Sequence, residues 1–303
     1  MIIENTTYKL SFLEMTIAKI RDYNQLVKMR LSLLVVFSSA MGYLYASAGS
    51  INWSVFIGLL IGGFLVTASS NAFNQAFEKD IDAKMKRTKE RPVPSGRMSF
   101  MEAIAFGTFV GFIGFILLFK LTNPACAFMA SLALISYVFL YTPMKRITHL
   151  ATFVGAIPGA LPFAIGWFAV TGIFSPEIIY LFLIQFVWQF PHTWAIAWLL
   201  RDDYNKVNIK LNPFRNSGDK RTAYYIMIYT LILIPVSLMP FLYSYTHWQS
   251  AIFILLLGLY FLKTSYNLFK QQNDKKAKGV LIGSIVYLPL VQIVLVLDKV
   301  FIS

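Results

Sequence analysis

The chain has 303 residues, of which 57% are apolar and only 14% are charged, whereas ordinary globular proteins carry about 25% charged residues. This composition excludes a soluble enzyme and a disordered or collagen-like chain, and the single Cys126 excludes a disulfide framework or a multi-cysteine metal site. The net charge of +13 comes from short basic segments between long uncharged stretches, so it indicates membrane topology and not binding of nucleic acid.

Stretches without Asp, Glu, Lys or Arg predict the membrane crossings, since a helix needs about 20 apolar residues to cross a bilayer. Residues 31–77 are long enough for two spans, which should separate near Gly49, Ser50 and Asn52. The other spans are predicted at 98–119, 124–142, 149–172, 178–200, 222–245, 248–269 and 279–297. The expected fold is therefore all-α: a polytopic integral membrane protein with nine transmembrane helices around a central cavity.

The cations predict the orientation, because cytoplasmic loops of membrane proteins collect Lys and Arg. In the nine-span interpretation 25 cations lie on one side and only Lys120 and Lys299 lie on the other. The N-terminus is then cytoplasmic and the C-terminus external, in a multi-pass protein of the cell (inner) membrane. The first apolar run follows Arg30 without a cleavage site, so we expect no cleavable signal peptide.

The predicted topology divides the chain into two parts. Residues 1–30 should form a cytoplasmic amphipathic arm, and residues 31–303 a single transmembrane domain. Cytoplasmic loops 78–98 and 201–221 should carry the active site. Within the fifth span, Pro158 and Pro162 must kink or locally unwind the helix, which a bilayer tolerates only where neighbouring helices cover the freed carbonyls, so this span should be interior.

Oxygen-bearing side chains are concentrated where the second span reaches the cytoplasm. Asn74, Glu78 and Asp82 are four residues apart and would form one stripe on a helix, with Asn71 one turn earlier. An amide followed by carboxylates suits Mg²⁺, which prefers a few carboxylates together with phosphate oxygens, and does not suit zinc. The alternative is a solvated helix end whose acids merely balance its cations.

A cationic loop follows these carboxylates at once, from Lys84 to Arg97, and includes Arg87 and Arg91. Carboxylates that hold a metal ion and cations that hold phosphate oxygens are the two parts of a diphosphate site. The loop and the acidic stripe together therefore predict binding of a diphosphate.

The pattern Asn74-x-x-x-Glu78-x-x-x-Asp82 resembles the first acidic motif of the UbiA-type intramembrane prenyltransferases. The string that continues through Met85, Arg87, Thr88, Arg91 and Pro92 to Gly96 and Arg97 is similar, more narrowly, to the haem O synthases (protoheme IX farnesyltransferases) of that family. Glu78 stands where many bacterial members have Asp, and its longer carboxylate can still reach a metal ion.

A second polar segment, Trp188 to Tyr204, resembles the second signature of the haem O synthases, with Thr193 where an aromatic residue is usual. It contains Gln189, Pro191 and His192 and ends in Asp202 and Asp203. Because this helix end also faces the cytoplasm in the predicted topology, both acidic segments should meet at one surface and bridge a single diphosphate.

His192 lies about two and a half turns inside the membrane from Asp202, where an imidazole is costly unless it is paired or functional. It is either a hydrogen-bonded interior histidine or a residue at the porphyrin, on the iron or near the reacting vinyl group. His149 is a weaker candidate of the same kind.

The resemblance implies a reaction and a set of roles. The vinyl group of haem b would attack C1 of farnesyl diphosphate, with Mg²⁺-assisted loss of diphosphate, to give haem O. Asn74, Glu78 and Asp82 would hold one Mg²⁺ and Asp202 or Asp203 a second, while Arg87 and His192 complete the catalytic set. The expected substrate-binding residues are Asn71, Lys84, Arg91, Arg97, Gln189, Arg201 and Lys206. The implied partners are haem b, farnesyl diphosphate, the lipid bilayer, and either haem–copper oxidase assembly or a haem A synthase.

Three other functions compete with this one. A related enzyme that prenylates a quinone precursor such as 4-hydroxybenzoate would share the first acidic motif. A secondary transporter could have nine helices, but its ionisable groups would lie near the membrane midplane. A structural or assembly subunit would need no acidic stripe.

Overall fold

The computed structural model describes residues 12–212 and 218–301, and within these ranges all regular structure is helical. In the first half of the chain the helices are α1 Phe12–Leu26, α2 Met29–Ser47, α3 Trp53–Phe77, α4 Lys79–Asp82, α5 Phe100–Leu121, α6 Pro124–Ile135 and α7 Thr142–Ile147. In the second half they are α8 Ala151–Thr171, α9 Pro176–Leu199, α10 Arg201–Lys206, α11 Lys220–Leu242, α12 Trp248–Gln271 and α13 Asp274–Phe301. A π-helix, Ser136–Tyr141, joins α6 to α7. Residues 1–11 of the predicted N-terminal arm and residues 213–217 of the second predicted loop lie outside the described residues.

Eight helical stretches in the described part of the chain are long and apolar enough to cross a membrane, with α6, the π-helix and α7 forming one of them. They match eight predicted spans, so the multi-pass helical fold is confirmed. The remaining predicted span corresponds to α9, which has 24 residues but carries Gln185, Gln189 and His192. The count of nine crossings and the orientation of the termini stay predictions.

Local sequence sets several helix ends. The predicted break after the first span lies between α2 and α3, where the Asn52 side chain accepts hydrogen bonds from the backbone N–H groups of Ser54 and Val55. An N-cap of this kind satisfies donors that the helix itself leaves unpaired. Helix α13 begins at Asp274, earlier than the predicted residue 279, because it continues through charged residues outside the apolar stretch.

Helix α8, which contains Pro158 and Pro162, lies at the centre of the bundle. Within the 18-residue stretch that characterises α8 as a span, 67% of the residues are buried inside the bundle, whereas the corresponding share is 22% for α5 at the periphery. The helix is continuous and not unwound, and α9 supports it: Gln189 Nε2 donates to the Ala156 carbonyl at 2.9 Å, and Gln185 Oε1 accepts from Phe163 N. The prediction that this span is interior is confirmed.

Glycines allow α2 to pack closely against α8. A Cβ atom on Gly42 would collide with the Phe163 carbonyl, and one on Gly166 would collide with the Ser39 carbonyl. Small residues at helix contacts are the usual means of close packing inside a bilayer, where no hydrophobic effect drives helices together. This packing fixes the start of α2, and with it Lys28, relative to the centre of the bundle.

Candidate active site

The first acidic cluster (Asn74, Glu78 and Asp82) lies at the end of α3, and all three residues are buried. Its members do not share one continuous helix as the spacing predicts: α3 ends at Phe77, and Glu78 is the residue between α3 and α4. Asn74 and Glu78 remain one helical turn apart and in contact, with Asn74 Nδ2 donating to Glu78 Oε2 at 2.9 Å. The turn at Glu78 lets Ile81 enter an apolar cluster with α10.

Glu78 is paired with a lysine from another membrane helix. Its Oε1 forms an ion pair with Lys145 Nζ, and both side chains are at most 10% exposed. The same helix contributes Thr142, whose hydroxyl accepts a hydrogen bond from Asn74 Nδ2 at 3.4 Å and donates to the Tyr137 carbonyl at 2.9 Å. Both residues directly follow the π-helix, a distortion that is frequent at functional sites.

Lys28 enters the cluster from the segment between α1 and α2. Its Nζ donates to Asn74 Oδ1 at 3.0 Å, and its backbone has φ 49° and ψ 56°, a left-handed conformation that is unfavourable for a lysine. Burial, together with the nearby positive charges of Arg91 and Lys145, lowers the pKa of Lys28 to about 7. An amine with a lowered pKa on a strained backbone is typical of functional sites.

Asp82 is held by the cationic loop. Arg91 Nη1 donates to its Oδ2 at 2.6 Å, the Asp82 side chain is 1% exposed, and the Thr88 hydroxyl donates to the Asp82 carbonyl at 2.8 Å. The loop therefore folds back over the helix end from which it starts. Each oxygen-bearing side chain of the first acidic cluster thus contacts a cation, supplied by Lys28, Lys145 or Arg91.

The second acidic cluster (Asp202 and Asp203) begins in the first turn of α10, and its two carboxylates differ. Asp203 is buried and accepts hydrogen bonds from the backbone N–H groups of Lys86, at 3.2 Å, and Arg87, at 3.3 Å. Burial alone would raise the pKa of Asp203, but these amides and Lys206 outweigh it and hold the pKa below its usual value. Asp202 is exposed.

An apolar contact joins the two acidic ends. Ile81 and Met85, on either side of Asp82, lie in one buried cluster with Tyr204, Val207 and Leu211. Together with the bonds from the loop amides to Asp203, this cluster brings the predicted acidic segments to one end of the bundle although about 120 residues separate them in sequence.

Several predicted substrate-binding residues have structural partners. Asn71 Nδ2 donates to the Val27 carbonyl and the Ser32 hydroxyl, and Arg97 pairs with Asp22 of α1. Arg201 pairs with Asp274 of α13, Lys206 lies 3.5 Å from Asp203, and Gln189 supports α8.

Lys84 and Arg87 have exposed side chains on the loop. The structure thus brings Arg91 into the first acidic cluster and ties Arg97 and Arg201 to other helices.

His192 is hydrogen-bonded inside the bundle. Its Nδ1 lies 2.8 Å from the Ser284 hydroxyl on α13, and its ring stacks on Trp188 with centroids 4.6 Å apart. Trp188 Nε1 donates to the Ser284 carbonyl, so α13 fixes both rings. His149 Nδ1 contacts the Asn212 carbonyl, which joins α8 to the end of the second loop.

A cavity of about 250 Å³ opens beside Glu78 between the end of α3 and the π-helix. Phe77, Ile81, Val138 and Phe139 form apolar walls, and Arg146 lies at its edge. Glu78 therefore adjoins a space that has both polar and apolar lining residues.

The donor set fits a hard divalent cation, although no ready-made cluster of three His, Cys, Asp or Glu side chains occurs among the described residues. Asn74 Oδ1 and the Glu78 carboxylate are hard oxygen donors of the kind that suits Mg²⁺, with Asn74 Nδ2 facing Glu78 and Asn74 Oδ1 accepting from Lys28. Glu78 is paired with Lys145, and Asp82 is paired with Arg91. Asp203 accepts hydrogen bonds from loop amides, and Asp202 is exposed. Such a site matches a cation that shares its coordination with a phosphate-bearing ligand.

The sequence interpretation missed Lys28, Lys145 and Thr142 as site residues, because it counted the two lysines only as topology cations. Both lysines lie three residues from a predicted span, but Arg30 and Arg146 lie at least as close, so the distance to a span does not single them out.

The model of the UbiA prenyltransferase family matches residues 35–286 of the chain. A Protoheme IX farnesyltransferase of Cytophaga hutchinsonii is 42% identical over 285 residues, which cover 94% of this chain and 99% of the relative. A solved digeranylgeranylglyceryl phosphate synthase aligns with a TM-score of 0.76 at 20% identity, over 93% of this chain and 99% of the other. A UbiA homologue of Archaeoglobus fulgidus bound to GPP and Mg²⁺ aligns with a TM-score of 0.66 at 14% identity, over 91% and 99% of the two chains.

Proposed function

The chain belongs to the UbiA prenyltransferase family, and from that premise we propose that it transfers the farnesyl group of farnesyl diphosphate to the vinyl group of haem b, giving haem O. The choice of substrates rests on relatives that carry the name protoheme IX farnesyltransferase at 42–44% identity. The observation that carries the chemistry is the buried first acidic cluster with its three cations at the membrane boundary.

Loss of diphosphate leaves negative charge on oxygen and positive charge on carbon, so the site must stabilise the leaving oxygens. Lys28, Lys145 and Arg91 surround the first acidic cluster, and each can turn from its carboxylate or amide oxygen to a diphosphate oxygen. The exposed side chains of Lys84 and Arg87 can contact the same group from the loop. No protein nucleophile is required.

Asn74, Glu78 and Asp82 would hold one Mg²⁺, and Asp203 or its exposed neighbour Asp202 a second. A bound Mg²⁺ acts as a Lewis acid on the phosphate oxygens. The Archaeoglobus fulgidus homologue supports this assignment, since it has the same fold and binds GPP and Mg²⁺. Two acidic ends that meet at one surface are what a metal-bound diphosphate needs.

On the acceptor side, an electron pair of the haem b vinyl group forms a bond to C1 of the farnesyl group as the C1–O bond breaks and diphosphate leaves. Water then adds to the resulting vinyl-derived cation and loses a proton, which gives a hydroxyethylfarnesyl group. His192, fixed by Ser284 and Trp188, is the residue we assign to the porphyrin. Both substrates are lipophilic, so a site inside a membrane bundle suits them.

The same proposal covers the cellular setting. We place the protein in the cell (inner) membrane with its site on the cytoplasmic face, on the basis of the cation distribution. Its product would pass to a haem A synthase or to haem–copper oxidase assembly, the two destinations that the sequence resemblance implies.

The direct test incubates the purified protein in detergent with haem b, farnesyl diphosphate and Mg²⁺ and measures the formation of a product with the mass of haem O. Replacing haem b by 4-hydroxybenzoate tests the competing prenyltransferase function in the same assay. Product from 4-hydroxybenzoate and none from haem b would replace the proposal by that alternative.

The site assignment has its own test. Asp82→Ala should abolish farnesyl transfer while the protein remains folded and inserted, because it removes a predicted metal ligand and releases Arg91. Asp80→Ala is the matched control, since Asp80 lies in the same short helix but is exposed, and it should keep near wild-type activity. Wild-type rates in Asp82→Ala would overturn the assignment.

A further inference from the structure

Helix α1 (Phe12–Leu26) contacts the bundle through one face only. Arg97 Nε donates to Asp22 Oδ1 at 2.9 Å, the Tyr23 hydroxyl donates to Glu102 Oε1 at 3.0 Å, and Leu26 is fully buried. Asp22 and Leu26 are four residues apart and share a face of α1, and Tyr23 lies about 100° around the helix from Asp22, so the three span less than half of its circumference. This side holds the helix at the start of α5.

A second face of α1 is apolar and exposed. Leu13, Ile17 and Ile20 have the spacing i, i+4, i+7 and therefore form one stripe, and their exposures are 67%, 50% and 63%. A stripe of large aliphatic side chains on a helix that is already attached to the protein by another face needs an apolar environment of its own.

The contacts of α1 place it beside membrane-spanning chain. From Lys19 of α1 to Val27 just after it, the contacts advance along α5: Lys19 pairs with Glu102, the Tyr23 ring packs against Phe106 at a tilt, and Val27 lies in one cluster with Val110. The C-terminal half of α1 therefore runs down alongside the first turns of a transmembrane helix. The same part of α5 exposes apolar side chains to its surroundings, with Met101 and Phe109 more than 60% exposed.

A cation borders the apolar stripe on one side. Arg21 lies next to Ile17 around the helix, whereas Lys19 is paired with Glu102 of α5 and Gln25 accepts a hydrogen bond from Arg97. An apolar stripe bordered by a cation is typical of helices that lie in a membrane interface, where the stripe reaches the acyl chains and the cation reaches the phosphates.

We propose that α1 is an interfacial helix whose stripe of Leu13, Ile17 and Ile20 is seated among the phospholipids of the leaflet that borders the active site. Ile20 lies deepest and Leu13 nearest the headgroups, since α1 descends along α5. The proposal goes beyond the transfer reaction, because it assigns a lipid-binding surface to the segment before the first span.

The lipid-facing stripe of α1 lies close in the chain to Lys28, which contacts the first acidic cluster. Only Val27 separates α1 from Lys28, and Asn71 holds the Val27 carbonyl at 3.2 Å. A helix fixed both in the leaflet and on α5 keeps the strained Lys28 backbone in place, with its amine on Asn74. Lipid contact at α1 therefore supports one of the three cations of the first acidic cluster.

Nitroxide labelling tests the surface without reference to activity. Cys126 is fully buried, so a Cys126→Ala background gives single labels after Leu13→Cys, Ile17→Cys or Ile20→Cys, with Ala18→Cys as the matched control on the opposite, exposed side of α1. In phospholipid nanodiscs, power saturation compares collisions with oxygen, which partitions into lipid, and with a water-soluble nickel complex.

The proposal expects an oxygen-to-nickel collision ratio several-fold higher at 13, 17 and 20 than at 18, rising from position 13 to position 20. Equal ratios at all four positions would show a helix surrounded by water and overturn it. Low collision rates with both reagents at the stripe would show a protein partner, such as a second copy of this chain, and would also overturn it. Four independently labelled positions keep the test decisive if one variant fails to fold.

Discussion

The two acidic clusters meet at one end of the bundle, yet they are neutralised in different ways. In the first acidic cluster, side-chain cations from three separate elements contact Asn74, Glu78 and Asp82. In the second acidic cluster, Asp203 accepts hydrogen bonds from two backbone N–H groups of the cationic loop, and Asp202 is exposed. Cations on flexible side chains can be redirected to an incoming anion, whereas backbone amides hold a loop in place. We infer that the side-chain cations of the first cluster handle the diphosphate and that Asp203 of the second cluster fixes the cationic loop.

Breaking the first cluster should have the largest effect. Glu78→Gln keeps an acceptor for Asn74 but removes the charge that pairs with Lys145. Farnesyl transfer should fall by about 10²–10³-fold, as expected when one preorganised electrostatic group is lost. Stability should fall by about 3–5 kcal/mol, because a buried cation is left without its partner. The rate of haem O formation and a thermal unfolding curve measure the two effects.

A double variant separates catalysis from folding. Glu78→Gln combined with Lys145→Met replaces the buried ion pair by neutral groups, which is often close to neutral for stability. The double variant should regain most of the lost stability and remain inactive. Recovery of activity together with stability would mean that the pair serves folding alone.

Breaking the second cluster should have a smaller effect of a different kind. Asp203→Asn removes the charge that accepts the Lys86 and Arg87 amides, so the loop from residue 83 to residue 98 should loosen. The KM for farnesyl diphosphate should rise roughly tenfold, which corresponds to about 1.4 kcal/mol, with a smaller change in kcat. Trypsin should also cut the loop faster, because its lysines and arginines become more accessible.

Asp202 provides the matched control for that variant. Asp202→Asn changes the same chemical group one residue away, but on an exposed side chain. It should leave the rate of trypsin cleavage near wild type, because the loop amides bond to Asp203. A similar rise in trypsin cleavage in both variants would contradict the division of roles between the two residues.

Hydropathy alone predicted the spans, because the thickness of a bilayer imposes a length of apolar chain on each crossing. The spacing of Asn74, Glu78 and Asp82 also led to a candidate site at the end of α3, where the structure buries all three. The sequence could not reveal the break at Glu78, which depends on Ile81 packing against α10. Nor could it pair Lys28 or Lys145 with the first cluster, since those contacts join elements that are distant in the chain and arise only from helix packing.

The smallest expected effect lies deeper in the membrane, where Ser284 of α13 contacts His192 of α9. Ser284→Ala removes the hydroxyl 2.8 Å from His192 Nδ1 but keeps the carbonyl that accepts from Trp188 Nε1. Loss of one such hydrogen bond costs about 1 kcal/mol, so haem binding should weaken roughly fivefold. The KM for farnesyl diphosphate should not change, because His192 lies apart from both acidic clusters along α9. A titration followed by haem absorbance measures the first quantity and the transfer assay the second. A rise in the KM for farnesyl diphosphate with unchanged haem binding would move His192 from the porphyrin to the diphosphate side of the site.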